Sequence, residues 1–173
     1  ETIYDFEGRP TLQILPTPVF DGVSSYQGRV QYYEEVNRNP SGNPYSWEDF
    51  DVDGPGMTST LLPLDSTSGA GRYYSTNNAL QTAEAAYIPD ADGYPFVRTE
   101  YMPDNTGRVR MQGGVGADHQ PSDGLPKDSL HATKYYYYVP FQEEIDGLFG
   151  TDVGYARFYR KTVAIDPNGQ ATM

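Results

Sequence analysis

Cysteine is absent from the 173-residue sequence, and basic residues are scarce. The absence of cysteine excludes disulfide scaffolds, thiolate metal sites and cysteine catalysis. Lys and Arg number 12 against 24 Asp and Glu, which gives a formal net charge of −12. Because so negative a chain is repelled by a phosphate backbone, nucleic acid is not an expected partner. No apolar run approaches the roughly 20 residues of a membrane-spanning helix, so no transmembrane segment is predicted.

Glycine, proline and tyrosine are abundant, with counts of 18, 14 and 16. Glycine and proline punctuate short elements, and tyrosine favours strands, whereas Ala, Leu and Lys are too few for a helical bundle. The composition therefore predicts a mainly β protein of antiparallel hairpins whose core relies on Tyr and Phe. The length suits one domain or part of a larger one. Because the chain starts at Glu1 without a leader, we expect residues 1–173 to be part of a single larger region of a longer polypeptide.

A short turn unit recurs along the chain. Residues 5–9 and 104–108 share the pattern Asp-x-x-Gly-Arg, and residues 90–94 and 166–170 keep Asp-x-x-Gly with a different last residue. The glycine allows the bend, and the first Asp can accept backbone N–H bonds within the turn. The arginine can lie over a tyrosine ring or pair with a carboxylate. Repetition of one turn unit is the sequence signature of an array.

Strands and one helix follow from the residue patterns between these turns. Residues 94–101 and 108–112 predict a hairpin, and residues 133–139 predict the clearest strand, with two of its four adjacent tyrosines on each face. Residues 152–166 predict another strand, with Tyr155, Arg157, Tyr159 and Lys161 on one face. A short helix is predicted near residues 140–149, because proline starts it and glycine ends it. Its apolar face comprises Phe141, Ile145, Leu148 and Phe149. Residues 37–44 are predicted to be loop.

The repeated turn unit resembles the repeat motif of the YD-repeat family, also called Rhs proteins. The residues that carry this resemblance as Tyr-Asp-x-x-Gly-Arg are Tyr4, Asp5, Gly8 and Arg9 in the first copy; Tyr101, Asp104, Gly107 and Arg108 in a stretched second copy; and Asp166 and Gly169 in a third, where Gln170 replaces the usual arginine. The order of segments is similar to that of the large Rhs-like surface proteins of Bacteroidetes-type bacteria.

The resemblance implies long β-hairpins that wind side by side into a hollow shell. In Rhs proteins the shell commonly encloses a C-terminal toxin, and in relatives it is a cell-surface or adhesion scaffold. It implies a secreted or cell-surface bacterial protein in which this segment is structural, is not an enzyme and takes no cofactor. The implied partners are the remainder of the same polypeptide and secretion or surface proteins. No catalytic residue is carried over, because the core motif that holds the family's self-cleaving aspartates is not found here.

Two other function classes remain open from the sequence. The aromatic rings of Tyr45 and Trp47, and the tyrosines of residues 135–138, can stack on sugars where they are exposed, which fits an adhesin or carbohydrate-binding module. A glycan-active enzyme needs two carboxylates on opposite sides of a cleft. The acidic pairs of this chain are adjacent in sequence, which favours a solvated acidic surface instead. These pairs are Glu34-Glu35, Glu48-Asp49 and Glu143-Glu144.

An acidic stretch resembles the first half of a calcium-binding loop. Its ligand candidates are Asp49, Asp51 and Asp53, followed by glycine in the spacing Asp-x-Asp-x-Asp-Gly. The Glu that closes such a loop is replaced by Thr60. An acidic loop held by solvent is the favoured interpretation, and a weak Ca²⁺ site is the alternative. His119 and His131 lie in no two-histidine ligand motif, so they are interpreted as loop histidines.

Overall fold

The computed structural model describes residues 1–20, 26–30, 37–50, 61–78, 87–120 and 131–173. Its strands are β1 (Thr2–Tyr4), β2 (Pro10–Ile14), β3 (Pro18–Phe20), β4 (Tyr26–Val30), β5 (Phe96–Tyr101), β6 (Val109–Gln112), β7 (Thr133–Tyr138), β8 (Lys161–Ile165) and β9 (Ala171–Thr172), and its α-helices are α1 (Gly69–Tyr73) and α2 (Gln142–Phe149). The prediction of a mainly β fold is confirmed. Among the described helices, none has the length and apolar character needed to cross a bilayer.

Seven of these strands form one antiparallel sheet in the order β1-β2-β5-β6-β7-β8-β9, and β3 pairs with β4 separately. Three hairpins contribute to this sheet, namely β1–β2, β5–β6 and β8–β9. Between β2 and β5 the chain leaves the sheet to form β3, β4 and α1, and it then returns beside β2. The register sets Leu12 opposite Arg98 across β2 and β5, and Met111 opposite Lys134 across β6 and β7. The predicted repeat turns at residues 5–9, 104–108 and 166–170 lie in the connections of these three hairpins.

The hydrophobic core lies on one face of β2 and β5. Leu12 and Phe96 are fully buried there. Tyr45 and Phe50, which belong to residues 37–50, pack over them. The rings of Tyr45 and Phe50 are stacked with centroids 6.3 Å apart. The other buried members are aliphatic, namely Ile14, Leu61, Leu64 and Ala70. The expectation of a core that relies on Tyr and Phe is therefore wrong for this cluster, where aliphatic side chains outnumber aromatic ones. The opposite face of β5 carries Tyr101, which is discussed below.

The prediction of a strand over residues 152–166 is wrong for most of its length. Thr151–Val153 and Ala156–Phe158 are 3₁₀ turns, and only β8 is extended. Gly154 has a φ of +83°, which breaks the strand geometry. The Gln142 side chain also donates to the Gly154 carbonyl over 2.9 Å and accepts the N–H of Ala156 over 2.7 Å, so it fixes a compact loop. The single strand face predicted for Tyr155, Arg157, Tyr159 and Lys161 is therefore not formed.

The helix predicted near residues 140–149 is confirmed as α2. The Glu144 carboxylate accepts the N–H of Phe141 over 3.0 Å and pairs with Lys161 at 2.6 Å, so it caps the helix and ties it to β8. These two bonds, led by the one from Lys161, lower the pKa of Glu144. Of the predicted apolar face only Ile145 is buried, while Phe141, Leu148 and Phe149 are 68–76% exposed. The helix therefore turns most of this face to solvent.

Candidate functional site

The first repeat turn is closed by a carboxylate that its own arginine neutralises. Asp5 N–H donates to the Arg9 carbonyl over 2.9 Å, and Gly8 N–H donates to the Asp5 carbonyl over 3.0 Å. The buried Asp5 carboxylate accepts the Arg9 backbone N–H at 2.7 Å and the Arg9 Nε at 2.6 Å. Gly8 has a φ of +79°, as a three-residue hairpin loop with a glycine bulge requires. Glu7 pairs with Arg9 Nη1, also at 2.6 Å. Asp5 thus fixes the turn, and it shares the positioning of the arginine with Glu7.

The turn between β8 and β9 has the same backbone bonds without an arginine. Asp166 N–H donates to the Gln170 carbonyl over 2.9 Å, and Gly169 N–H donates to the Asp166 carbonyl over 3.0 Å. The Asp166 carboxylate accepts the Gln170 N–H at 2.8 Å. Gly169 has a φ of +82°. The turn therefore forms whatever the identity of its last side chain, because the bonds that close it come from Asp166 and the backbone.

A third turn of this kind occurs at residues 39–43, within the stretch predicted to be loop. Asn39 N–H donates to the Asn43 carbonyl over 2.9 Å, and Gly42 N–H donates to the Asn39 carbonyl over 2.8 Å. The Asn39 side-chain oxygen accepts the Asn43 N–H at 3.0 Å, and Gly42 has a φ of +82°. An amide oxygen thus replaces the carboxylate. The pattern Asn-x-x-Gly is visible in the sequence and could have identified this turn.

The turn between β5 and β6 is wider. Met102 N–H donates to the Arg108 carbonyl over 2.7 Å, and the Asp104 carboxylate accepts the Thr106 hydroxyl at 2.6 Å and Arg108 Nη2 at 2.8 Å. The Thr106 hydroxyl, and then the Arg108 guanidinium, lower the pKa of Asp104 to about 2. Gly107 has a φ of +68°. The extra residues change the hydrogen bonds of the loop, but the aspartate still holds the arginine.

Residues 90–94 share the sequence pattern but form a different turn. Tyr94 N–H donates to the Ala91 carbonyl over 2.8 Å, so the bend lies one residue later than in the other units. Asp92 and Gly93 both have positive φ, at +50° and +84°, which is the geometry of a type I′ turn. Asp90 only accepts the N–H of Asp92. The expectation that residues 90–94 repeat the same unit is therefore wrong.

The arginine of the first turn lies over a tyrosine of the neighbouring hairpin. The Arg9 guanidinium carbon is 4.7 Å from the ring centroid of Tyr101, and the Tyr101 hydroxyl donates to the Pro10 carbonyl over 2.9 Å. Continuing the register from Leu12 opposite Arg98 by three residues brings Arg9 opposite Tyr101. Burial of the hydroxyl, and secondly the Asp5 carboxylate, raise the pKa of Tyr101. We call this pair of contacts an arginine–tyrosine rung.

A second rung repeats the first one further across the sheet. The Arg108 guanidinium carbon is 4.8 Å from the ring centroid of Tyr137, and the Tyr137 hydroxyl donates to the Val109 carbonyl over 2.8 Å. The register from Met111 opposite Lys134 likewise continues to Arg108 opposite Tyr137. In both rungs the hydroxyl bonds to the residue that follows the arginine. Two hairpins are therefore joined to their neighbours by the same cation–π and hydrogen-bond contacts.

The two residues predicted to stack on glycans lie in different environments. Tyr45 is 7% exposed, and its hydroxyl donates to the Leu62 carbonyl within the core. Burial raises the pKa of Tyr45, with a further contribution from Asp49. The Tyr45 ring is therefore not available to a sugar. Trp47 is 40% exposed and meets the Phe6 ring edge to face at 5.5 Å, so these two rings form an accessible aromatic pair.

The acidic calcium candidate is only partly described. Asp49 is buried, and its two carboxylate oxygens accept the Asn39 side-chain amide and the Ser46 N–H, both at 2.8 Å. Asp49 therefore closes the 3₁₀ turn Trp47–Asp49. Asp51 and Asp53 lie outside the described residues. Within the described ranges, no group of three or more His, Asp or Glu side chains is placed to hold a metal ion.

His119 and His131 do not form a ligand motif in the sequence, but they are neighbours in space. Their ring centroids are 5.8 Å apart, and His119 Nδ1 is 3.2 Å from the His131 carbonyl. This contact joins the 3₁₀ turn Ala117–His119 to the residues that lead into β7. Among the described residues, no third ligand side chain completes a metal site with the two histidines.

A groove of about 630 Å³ lies between α2 and β8. Its lining is mainly apolar and includes Leu148 and Phe149 of the helix. The two acids in its described lining, Glu143 and Glu144, are adjacent on the helix, and Lys161 pairs with one of them. These two carboxylates do not face each other across the groove, as glycoside hydrolysis requires. The groove is therefore an apolar surface rather than a carboxylate site.

Comparisons of the chain with protein-family models, with curated proteins and with solved structures gave no match. The candidate site is thus defined by the chain's own geometry. Its members are the aspartates and glycines of the hairpin turns and the two arginine–tyrosine rungs. These groups bind one another, so the chemistry they perform is to hold neighbouring hairpins in register.

Proposed function

We propose that the chain is a structural segment of a β-shell in a secreted or cell-surface bacterial protein of the YD-repeat (Rhs-like) type, within a toxin-delivery or surface-display scaffold. The observation that carries this proposal is the repetition of one arginine–tyrosine rung at equivalent register positions of two hairpins. An architecture in which each unit packs mainly on its neighbour reuses the same contacts along the array. A wall of side-by-side hairpins is such an architecture.

The edges of the sheet also support a role within a larger assembly. At the two ends of the seven-stranded sheet, β1 and β9 each pair with only one described strand. An unpaired edge offers backbone donors and acceptors to another strand, and proteins usually cover or block it. In the proposed shell, these edges are covered by the remainder of the same polypeptide or by surface partner proteins. The proposal assigns no catalytic residue and no cofactor.

Electron microscopy of the natural full-length polypeptide tests the proposal. The expected particle is a hollow shell whose wall is made of β-hairpins, and the flanking coding sequence is expected to contain further Tyr-Asp-x-x-Gly-Arg units. A solid globular particle, together with flanking sequence that lacks such units, would contradict the proposal. Both readouts are independent of any ligand, so they examine the structural role directly.

An adhesin or carbohydrate-binding module is the second candidate function. The observation in its favour is the accessible Trp47–Phe6 pair, because aromatic rings supply broad apolar faces at binding surfaces. A glycan array probed with residues 1–173 separates the candidates. The shell proposal expects no specific signal, whereas the adhesin candidate expects a signal that Trp47→Ala removes. Phe141→Ala is the matched control, since Phe141 is 74% exposed on a different surface. Turnover of any arrayed glycan would instead indicate the enzyme class.

A further inference from the structure

We infer that the open edge of β1 docks a β-hairpin that ends in an Asp-x-x-Gly-Arg turn, with the incoming arginine over Tyr4. This inference rests on the proposed function and names the chemistry of the partner at one edge. It depends on three properties of Tyr4, which are its position in the hairpin, the direction of its backbone groups and the face that carries its ring.

Tyr4 occupies the same hairpin position as Tyr101. The last backbone bond before the first turn runs from Asp5 N–H to the Arg9 carbonyl, and the corresponding bond in the second hairpin runs from Met102 N–H to the Arg108 carbonyl. Each tyrosine directly precedes the donor of that bond. The Tyr101 ring contacts Arg9 of the preceding hairpin, β1–β2. Tyr4 is therefore placed to contact an arginine in the same way, but it lies at the edge of the sheet.

The backbone of Tyr4 is directed to the open edge. Glu1 exchanges both backbone bonds with Ile14 of β2, and Asp5 bonds to the residue before β2. In an antiparallel pair, alternate residues bond to the same neighbour. The N–H and C=O groups of Thr2 and Tyr4 therefore point away from β2, where another strand can pair with them. This is the arrangement that permits recognition by strand addition.

The ring of Tyr4 lies on the same face as the existing rungs. Ile3 packs against the core, so Tyr4, the next residue in the strand, is on the opposite face and is 53% exposed. Tyr101 is likewise on the face opposite to buried Phe96. An arginine that enters in the register of the first rung would therefore lie over the Tyr4 ring. The net charge of −12 further favours a cationic group on the partner.

The opposite edge of this chain does not supply that arginine. The turn before β9 carries Gln170 where the other hairpins carry arginine. A second copy that added its β9 to β1 would place glutamine over the Tyr4 ring, without a cation–π contact. The occupant is therefore a separate hairpin whose turn ends in arginine, rather than the β9 edge of another copy.

A cyclised peptide with the sequence of residues 2–14, which reproduces the first hairpin, serves as the probe. Titration into the intact chain is followed by amide exchange and chemical shifts in NMR spectra. We expect slower exchange at the amides of Thr2 and Tyr4. Replacing the peptide arginine with alanine should weaken binding about two- to fivefold, since an exposed cation–π contact is lost. The Tyr4→Ala chain should bind the arginine peptide and the alanine peptide with equal affinity, because the ring that the arginine contacts is gone.

Tyr138→Ala is the matched control, because Tyr138 is 52% exposed and lies on β7. This variant should bind both peptides with unchanged affinity. The inference is overturned if the peptide fails to bind, if its arginine makes no difference, or if protection appears at Ala171 and Thr172 of β9. A hollow particle in the electron microscope with any of these results would reject the inference alone. A solid particle with arginine-dependent binding would reject the shell and retain the docking edge.

Discussion

The hairpin between β5 and β6 depends on the backbone conformation of one residue, Gly107. Its φ of +68° is in the left-handed region, and a Cβ built there would meet no atom within 4 Å. A side chain at this position therefore has space but an unfavourable backbone. The left-handed conformation costs an ordinary L residue about 1–2 kcal/mol. Gly107→Ala should lower the free energy of unfolding by this amount without changing any packing contact.

The expected change in melting temperature follows from the size of the chain. For a domain of this length, 1 kcal/mol corresponds to about 2–4 °C, so Gly107→Ala should lower the Tm by about 2–8 °C. Gly107→Val should lower it further, because β-branched residues adopt positive φ least readily. Differential scanning calorimetry at neutral pH measures both changes directly.

Gly147→Ala provides a control with the opposite expected sign. Gly147 lies within α2, and a Cβ there also meets nothing within 4 Å. In a helix, alanine is about 0.5–1 kcal/mol more favourable than glycine, so this variant should melt slightly higher. Glu48→Gln, at an exposed side chain, should change the Tm little. If Gly107→Ala and Gly147→Ala shift the Tm equally and in the same direction, the conformational argument is wrong.

Three further predictions follow from other contacts. A double-mutant cycle of Arg9→Ala and Tyr101→Ala in urea unfolding should give a coupling energy of about 0.5–1 kcal/mol, whereas strict additivity would contradict the rung. Asp104→Asn should lower the Tm at pH 7, and this difference should disappear as pH falls from about 4 towards 2, because the ionised Asp104 stabilises the fold only above its lowered pKa of about 2. Gly71→Ala should lower the free energy of unfolding by about 3 kcal/mol, because its Cβ would lie 2.2 Å from the Asp65 carbonyl oxygen. A denaturant midpoint equal to that of the wild-type chain would refute this close approach.

The hairpin turns could be predicted from the sequence because their determinants are local. An aspartate accepts bonds from residues within the next four positions, and a glycine three residues later supplies the positive φ. The strand of adjacent tyrosines is predictable because alternation along a strand is also local. Its Tyr136 and Tyr138 rings lie on one face, with their centroids 6.1 Å apart. The rungs are not local. Tyr101 and Pro10 are 91 residues apart, and the insertion between β2 and β5 conceals their pairing.

Prediction from sequence fails where distant groups decide the local structure. Gln142 fixes the loop that interrupts the predicted strand, and no pattern within residues 152–166 reveals that bond. Helix α1 was not predicted, and its Ala70 N–H is held by the Asn37 side chain over 2.9 Å. The ring chemistry of Tyr45 suits glycan stacking, but packing against Phe50 in the core buries the ring. Such features depend on tertiary packing rather than on residue spacing.

The turns closed by Asp5, Asn39 and Asp166 have a consequence for sequence variation. In each, the backbone bonds that close the loop join the first, fourth and fifth residues, and the two central residues are exposed. The central pairs are Phe6-Glu7, Pro40-Ser41 and Pro167-Asn168. In the first pair, Phe6 meets the Trp47 ring and Glu7 pairs with Arg9 at 2.6 Å, so changes there would disturb other contacts. The side chains of the other two pairs make no such contact with described residues, so these two tips can be exchanged, labelled or extended without disturbing the strands that they join. A scaffold built this way can vary the side chains exposed at its loop tips while its strands and turn-closing bonds stay constant.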